Sequence, residues 1–494
     1  MFLGIDVGTG GTRAVLVDRS GRVVASHSAA HPAIVSEHVG WAEQDPQDWW
    51  TAAIEAVGGA LATYGDDAKI ESVGLTGQMH GCVMLDAAGA VLRPALIWCD
   101  QRTEPQCEWL NEKIGRERLI ELTCNPALPN FTLTKLLWVK QHQPEIFAKI
   151  AHVMCPKDYV RYRMTGEYAI DMQEASGTLL LDVTHRRWSQ EVAEAAGVPM
   201  AWLPKLFEGP EICGRIDAAG AAATGLAAGT PVVAGAGDQG AGAVGMGILA
   251  PGSVSATIGT SGVVFAATDA PLKDPLGRLH TFCHAAPGRW HVMGVTNGAG
   301  LSLQYFRNLF GANPAGGRLG YDELSALAAT AAPGSGGMLW APYLFGERTP
   351  HLDAEARAAF VGITASNTYA DFVRAVMEGV AFSLKDSFTL FAELGIPAER
   401  IRLGGGGARS KVWSQIQADV YGQPVELLEA EEGGAFGAAL LAGAGVAAWP
   451  SVEAACEATI RVAETVRPRS AEVMAAGYRR FRALYPALRA IGKT

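Results

Sequence analysis

The chain has 494 residues, of which 49% are hydrophobic and 18% are charged, and its formal net charge is −10. This length is enough for two large domains or three smaller ones, and the composition excludes a large disordered arm. The negative charge and the lack of a Lys/Arg-rich block argue against a surface for nucleic acid or anionic membranes, so we expect a small-molecule partner.

The eight cysteines contain no CxxC pair and no Cys/His spacing suited to zinc. We interpret them as small, mostly buried thiols of a reducing cytoplasm. The chain passes from Met1 directly into an apolar run, without a basic segment or a cleavage site, and no stretch reaches the roughly 18 apolar residues of a membrane span. These features predict a soluble, cytoplasmic protein.

The first predicted element is an antiparallel meander, "FLGIDVGTGGTRAVLVDRSGRVVASHS", in which β-branched runs alternate with turn residues. Its first turn brings backbone N–H groups and hydroxyls to where a phosphate could bind, from Gly8, Thr9, Gly11 and Thr12. Asp6 precedes the turn and is suited to hold Mg²⁺, directly or through water. A plain hairpin with Asp6 as a turn residue is an equally open interpretation.

A helix is predicted next, with Asp45 as its N-cap and Pro46 as its first residue. The strand that follows it ends in the polar turn "TGQMHG", which places Met79 and His80 at a strand end. A lone histidine is more often structural than functional, but one between two glycines at a strand end can reach a substrate.

The segment "VVAGAGDQGAGAVGMG" (residues 232–247) allows two interpretations. Its G-x-G-x-x-G spacing matches a dinucleotide-binding loop and would indicate a dinucleotide-dependent oxidoreductase. Asp238 would then lie inside the phosphate loop, where its charge repels the ligand. We therefore predict that Asp238 is a catalytic base at a strand end and that Gln239 holds a neighbouring substrate hydroxyl. A helix N-cap role for Asp238 is compatible with this prediction.

A second strand–turn–strand head, "PGSVSATIGTSGVVFAATDA", opens a half of about equal length, with Gly259 and Thr260 in its turn and no carboxylate. This internal similarity predicts two like α/β domains, residues 1–246 and 247–494, that face each other across a cleft.

The second half contains four further segments of interest. A helix is predicted over residues 371–384, and "RIRLGGGGARS" (400–410) indicates a strand and a glycine loop against which adenine and ribose could lie. The remainder to Thr494 is predicted to be helical with polar links. The loop "YLFGERTPH" (343–351) is either an exposed turn or a part of the cleft.

In this order, the motifs resemble the FGGY family of carbohydrate kinases. "GIDVGTGGTRAVLVD" is similar to the family's first phosphate loop, and "NFTLTKLLWVKQH" to its first signature, with Asn130 where that pattern prefers a small or aromatic residue. "AAFVGITASNTYADFVRAVME" matches the second signature, and "GTSG", "GERTP" and "GGGARS" follow the family order. The resemblance covers nearly the whole chain.

The resemblance implies two actin-like (ribonuclease H-like) domains, ATP and Mg²⁺ in the cleft, and domain closure on sugar binding. "GQMHG" is typical of the members that phosphorylate D-xylulose to D-xylulose 5-phosphate, whereas Asp238-Gln239 replaces their usual Asp-Asn. The alternatives are a kinase for another pentulose or polyol and, at a greater distance, the oxidoreductase above or an actin-like ATPase that acts on proteins. A homodimer is an open expectation.

The resemblance also implies roles for particular residues. Asp238 acts as the base, and Asp6 binds Mg²⁺ and acts with it in catalysis. The sugar is contacted by Met79, His80, Asp238 and Gln239. The ATP-binding residues implied are Gly8, Thr9, Gly11, Thr12, Gly259, Thr260, Gly405, Gly406, Gly407 and Ser410.

Overall fold

In the computed structural model, which describes residues 1–65, 69–312, 316–429 and 433–491, each half of the chain forms one large β-sheet. The strands of the N-terminal sheet are Phe2–Val7 (β1), Gly11–Val17 (β2), Val23–Ala30 (β3), Ser72–Gly77 (β4), Ile212–Arg215 (β5) and Pro231–Val233 (β6). Those of the C-terminal sheet are Gly252–Ile258 (β7), Gly262–Thr268 (β8), His280–Cys283 (β9), Trp290–Thr296 (β10), Ala398–Gly404 (β11), Val425–Leu428 (β12) and Val462–Val466 (β13).

The two sheets share a common arrangement of their central strands. Their spatial orders are β5-β6-β4-β1-β2-β3 and β9-β10-β8-β7-β11-β12-β13. In each, three antiparallel strands are extended by two strands parallel to the first of them, and in the second sheet β9 adds a fourth antiparallel strand at the edge. The predicted pair of like α/β units is therefore confirmed, and the antiparallel meander distinguishes both sheets from a doubly wound dinucleotide-binding sheet.

Helices surround the two sheets. They are Pro46–Tyr64 (α1), Glu104–Leu110 (α2), Arg116–Thr123 (α3), Thr132–His142 (α4), Pro144–Phe147 (α5), Pro156–Thr165 (α6), Met172–Ser176 (α7), Gln190–Ala196 (α8), Ala218–Thr224 (α9), Asp238–Gly245 (α10), Gly300–Phe310 (α11), Tyr321–Thr330 (α12), Tyr369–Glu393 (α13), Lys411–Tyr421 (α14), Gly433–Gly445 (α15), Val452–Thr459 (α16), Ala471–Phe481 (α17) and Leu484–Ile491 (α18). Helix α1 begins as predicted, because the Asp45 carboxylate accepts the N–H of Gln47 and Pro46 follows it. None of the described helices has the length and apolar character to cross a bilayer.

Shorter elements complete the fold. Five pairs of short strands lie outside the two sheets: Glu43–Gln44 with Ala95–Leu96, Val83–Leu85 with His152–Met154, Ala169–Asp171 with Lys205–Phe207, Leu181–Asp182 with Arg187–Trp188, and Leu339–Ala341 with Ala359–Val361. Single turns of tighter or wider helix occur at Asn111–Gly115, Met200–Trp202, Ser335–Gly337 and Gly406–Arg409. All eight cysteines are unpaired, and all except Cys99 are buried.

The prediction of an all-helical C-terminal remainder is wrong. Strands β12 and β13 extend the second sheet and pair with each other. Both are short, and β13 is mostly exposed at the sheet edge, so neither carries the apolar alternation by which a strand is recognised in a sequence. The predicted helix at 371–384 exists but is longer, as α13.

Strand β1 is covered by helices on both faces, and its pleat determines where Asp6 lies. Leu3 and Ile5 pack with α1 in one core cluster, whereas Phe2 packs with α15 in another. Successive side chains point to opposite faces of a strand, so Asp6 lies on the α15 face. Helix α15 thus brings a segment from the end of the chain against the first strand.

Helix α15 approaches its neighbours so closely that side chains are excluded at the contact. A Cβ atom on Gly437 would lie 1.8 Å from the carbonyl oxygen of Ala241 in α10, and one on Gly4 of β1 would lie 1.8 Å from that of Ala435 in α15. Only glycine fits at such distances. Backbone contact therefore fixes β1, α10 and α15 relative to one another.

We predict that Gly437→Ala lowers the thermal midpoint by roughly 5 °C or more, because overpacking against backbone costs about 1–3 kcal/mol or more. Differential scanning calorimetry measures the shift. The matched control is Gly58→Ala in α1, where an added Cβ meets nothing within 4 Å; it should keep or raise the midpoint. Equal midpoints for the two variants would contradict the close-packing argument.

Candidate active site

Three cavities lie in a row along the cleft. The inner cavity, of about 140 Å³, is lined by Met79, His80, Trp98, Asn130, Asp238, Gln239, Ser261, Val263, Met293, Val295 and Arg348. The central cavity, of about 280 Å³, shares Asp238 and Gln239 with it and extends to the N-terminus of α15. The outer cavity, of about 400 Å³, shares Gly406 and Arg409 with the central one. Together they form one path with Asp238 between its inner and central parts.

Two carboxylates meet at this junction. Burial and, to a lesser extent, the charge of Asp6 raise the pKa of Asp238 from 3.8 to about 7, against the opposing effect of hydrogen bonds from Gln239. Burial likewise raises the pKa of Asp6 to about 6, although Arg13 opposes the shift. The state in which both carboxylates are ionised is therefore unfavourable unless a cation is bound beside them.

The carboxylate of Asp238 is not a helix cap. Gly237 is the N-cap of α10, and Asp238 is its first helical residue, whose Oδ1 accepts the N–H of Gln239 at 2.8 Å. The carboxylate also lines both the inner and the central cavities. The N-cap interpretation is wrong, and the side chain is available to a bound molecule.

The glycines around Asp238 are covered by protein. A Cβ on Gly237 would lie 2.5 Å from Met79 Cγ, and one on Gly240 would lie 2.8 Å from the side chain of Gln173. These glycines admit neighbouring side chains, and no space is left for a pyrophosphate. The match to a dinucleotide-binding loop is accidental.

His80 is held as a neutral acceptor at the inner cavity. Its Nδ1 lies 2.8 Å from the carbonyl oxygen of Gly177, which can only accept, so the proton is assigned to Nδ1. Burial lowers the His80 pKa to about 3, with smaller contributions from the charges of Lys135 and Arg348, although the hydrogen bond to Gly177 opposes the shift. Its Nε2 therefore carries a lone pair at neutral pH.

Helix α7 ties the inner cavity to the Asp238 loop. Gln173 Oε1 accepts the N–H of Gly237 at 2.7 Å, and its Nε2 donates to Met79 Sδ at 3.4 Å. Glu174 Oε1 accepts the N–H of His80 at 3.2 Å. Sequence reasoning missed both residues, since their partners lie 64 to 94 positions away.

A buried ionic network lies beneath α7. Lys157 Nζ is 2.5 Å from both Asp158 Oδ1 and Asp171 Oδ2, and an Arg161 nitrogen is 2.9 Å from Asp158 Oδ1. Asp171 also caps α7 by accepting the N–H of Glu174 at 2.9 Å. A buried charge that loses its partner is strongly destabilising. The network therefore favours the single arrangement in which every charge is paired.

The first glycine loop lies beside Asp6 but lines none of the three cavities. The Thr9 hydroxyl accepts from Trp98 Nε1 at 2.9 Å, and the Thr12 hydroxyl pairs with His31 Nε2 at 2.9 Å. The N–H of Gly8 donates to the carbonyl oxygen of Gly11. The structure thus uses these hydroxyls to hold the loop, and phosphate binding by Gly8, Thr9, Gly11 and Thr12 stays a prediction.

The predicted residues of the second half lie together. Gly259, Thr260, Gly406, Gly407 and Ser410 line the outer cavity, with Tyr321 and Trp413 as aromatic walls, while Gly405 and Gly406 line the central cavity. Ser410 also caps α14, since its hydroxyl accepts the N–H of Trp413 at 3.2 Å. The outer cavity thus combines glycines, hydroxyl groups and aromatic side chains, a mixed lining that is common in small-molecule sites.

The surroundings of Asp6 fit a hard cation such as Mg²⁺. Asp6 Oδ1 and the Thr76 hydroxyl are buried without a hydrogen-bond partner among the described residues. A Cβ on Gly434 would lie 3.3 Å from Asp6 Oδ2, so α15 begins directly at this carboxylate. The described residues contain no cluster of three or more His, Cys, Asp or Glu that could hold a metal, and Mg²⁺ bound to phosphates and water through one or two carboxylates does not require one.

Comparison with known proteins identifies the family of this site. Residues 1–245 match the model for the N-terminal domain of the FGGY family of carbohydrate kinases, and residues 254–446 match that for its C-terminal domain. The predicted division at residues 246 and 247 lies between these ranges and stays a prediction. The two-domain, actin-like fold implied by the motifs is confirmed.

Relatives match over almost the entire chain. The xylulose kinase of Bacillus subtilis (strain 168) is 40% identical over 95% of this chain and 93% of its own, and that of Escherichia coli (strain K12) is 41% identical over 90% and 89%. The crystal structure of xylulose kinase from Rhodospirillum rubrum superimposes with a TM-score of 0.92 at 32% identity and covers 100% of both chains.

We predict that Asp238→Asn raises the thermal midpoint of the ligand-free protein, and by a few degrees more at pH 8 than at pH 5. The folded protein holds a proton on Asp238 up to about pH 7, whereas the unfolded chain loses it near 3.8. Stability is therefore lost as the pH rises through this interval, and the amide removes that loss. Asp6→Asn should act in the same direction. A gain that does not depend on pH would contradict the assigned shift.

Proposed function

Because this chain belongs to the FGGY family of carbohydrate kinases, we propose that it transfers the γ-phosphoryl group of ATP to the C5 hydroxyl of D-xylulose. The observation that carries the proposal is the position of Asp238, whose carboxylate lines both the inner and the central cavities. A sugar in the inner cavity and the phosphates in the central cavity would meet at this side chain. The relatives named as xylulose kinases support this choice of sugar.

Asp238 acts as the general base. Its raised pKa makes it a better proton acceptor near neutral pH than an ordinary aspartate, and it is still partly ionised there. As the C5 oxygen bonds to the γ-phosphorus, its proton passes to the carboxylate, and the bond from the γ-phosphorus to the bridging oxygen of ADP breaks. The charge on the departing ADP balances the proton taken up.

His80, Gln239 and Met79 orient the sugar. The Nε2 of neutral His80 accepts a hydrogen bond from a sugar hydroxyl, and Gln239 can both donate and accept beside Asp238. Met79 supplies an apolar surface that Gln173 holds in place. These contacts align the hydroxyl with the phosphate, which is the main catalytic task in phosphoryl transfer.

ATP would lie along the outer and central cavities, with adenosine against Gly406, Gly407 and Ser410. Asp6 would hold Mg²⁺ directly or through water, and the ion when bound supplies positive charge to the phosphate oxygens. The N-terminus of α15, at Gly433 and Gly434, lines the central cavity and adds the partial positive charge of a helix end.

The proposed reaction is tested by comparing kcat/KM for D-xylulose with that for other ketoses and polyols. We expect D-xylulose to be the best substrate in an ATP-coupled assay. A clear preference for another pentulose or a polyol would keep the reaction and change the substrate, and binding of NAD(H) without ATP would overturn both.

For the base, we predict that Asp238→Ala lowers kcat by about 10²- to 10⁴-fold, because a positioned proton acceptor is lost, while the Kd for ATP measured by calorimetry changes little. The matched control is Asp217→Asn, which replaces a helix-capping aspartate at α9 outside the cleft and should leave turnover unchanged. Near-normal turnover of Asp238→Ala would contradict the assignment.

A further inference from the structure

Arg348 places a cationic side chain at the inner cavity. It lines this cavity with His80, Asp238 and Gln239. Among the described residues, its guanidinium forms no hydrogen bond or ion pair; only its backbone is engaged, by the Glu347 carboxylate and by Leu352. The side chain is half-buried, so its five N–H donors face the cavity and are available to an acceptor on a bound molecule.

The loop that carries Arg348 is fixed on both sides. The buried carboxylate of Glu347 accepts the N–H of Asn297 at 2.9 Å, that of Arg348 at 2.8 Å and the hydroxyl of Thr296 at 2.5 Å. On the other side, the Thr349 hydroxyl donates to the Arg278 carbonyl oxygen at 2.8 Å and accepts the N–H of Val295 at 3.0 Å. Arg348 is thereby presented to the cavity by a rigid support.

The polar groups of the inner cavity differ in what they can do. The ionised Asp238 carboxylate and His80 Nε2 accept hydrogen bonds from hydroxyl groups, and the Gln239 amide can both donate and accept. Arg348 alone is a pure donor with a full charge. A carbonyl oxygen is a pure acceptor, whereas a hydroxyl that accepts from Arg348 must still place its own proton elsewhere. The cavity is therefore complementary to a molecule with several hydroxyls and one carbonyl.

We propose that Arg348 is a specificity-determining residue that binds the carbonyl oxygen of the open-chain ketose and makes this site prefer a ketose to the polyol of the same length. The inference rests on the proposed function and deepens it. Because Asp238 takes the hydroxyl to be phosphorylated, the carbonyl lies toward the opposite end of the sugar. The sugar then bridges the two halves, since Arg348 belongs to the second half, and His80 and Asp238 to the first.

The test compares binding of a ketose and a polyol. Calorimetry with a non-hydrolysable ATP analogue present gives the Kd for D-xylulose and for xylitol in the wild type and in Arg348→Met, which keeps an unbranched apolar stem but removes every donor. We expect the ketose to bind about 10- to 100-fold more weakly to the variant, and the polyol less than about threefold more weakly, since only the ketose loses a charged hydrogen bond. An equal loss for both ligands, or no loss, would overturn the proposal.

Three further measurements make the result unambiguous. Arg357→Met, on the same segment but exposed, should leave both Kd values unchanged. If Arg348→Met does not fold, Arg348→Leu, which also lacks a donor, carries the same expectation. If D-xylonate binds the wild type more tightly than D-xylulose and this binding is lost in the variant, Arg348 recognises a carboxylate and the ketose assignment is wrong.

Failure of the wild type to phosphorylate D-xylulose would overturn the proposed function, whereas an intact ketose preference in an Arg348 variant that turns over D-xylulose would overturn only this inference.

Discussion

Two buried carboxylates, Asp6 and Asp238, lie within reach of each other's charge, and the rest of the structure holds them there. Asp6 and Asp238 come from elements more than two hundred residues apart, yet the charge of Asp6 contributes to the raised pKa of Asp238. Burial and mutual repulsion both favour the neutral forms, so the junction is stable with a proton or a cation and unfavourable without one. This cost to the folded state is typical of sites arranged for chemistry.

The junction is held by backbone contacts. Gly4 and Gly437 bring β1, α10 and α15 together without intervening side chains, and Gly434 places the start of α15 over Asp6. Helix α7 supplies the second support, because Gln173 and Glu174 hydrogen-bond the Asp238 loop and the His80 backbone. The fully buried ionic network beneath α7 fixes this helix in place. Because α7 holds both the Asp238 loop and the His80 backbone, the positions of these two residues depend on one another.

Local patterns revealed those parts of the fold and site whose physical cause is local. The antiparallel meander follows from β-branched runs between glycine turns, and the start of α1 follows from Asp45 and Pro46. The isolated charge of Asp238 among small residues was sufficient to reject a dinucleotide loop. Strand β13 was missed because an exposed edge strand requires no apolar alternation, and the Thr9 and Thr12 hydroxyls proved to be held by Trp98 and His31.

The sequence by itself determined the duplicated α/β architecture, the family and the two carboxylates, because each is written in short stretches of glycine, β-branched and acidic residues. Tertiary structure alone decided that Arg348 lies in the inner cavity, that His80 is a neutral acceptor, and that α15 covers one face of the first sheet. These properties depend on burial and on partners distant in the chain. Solvation and long-range contact set protonation states and cavity walls, and neither is encoded in the spacing of a motif.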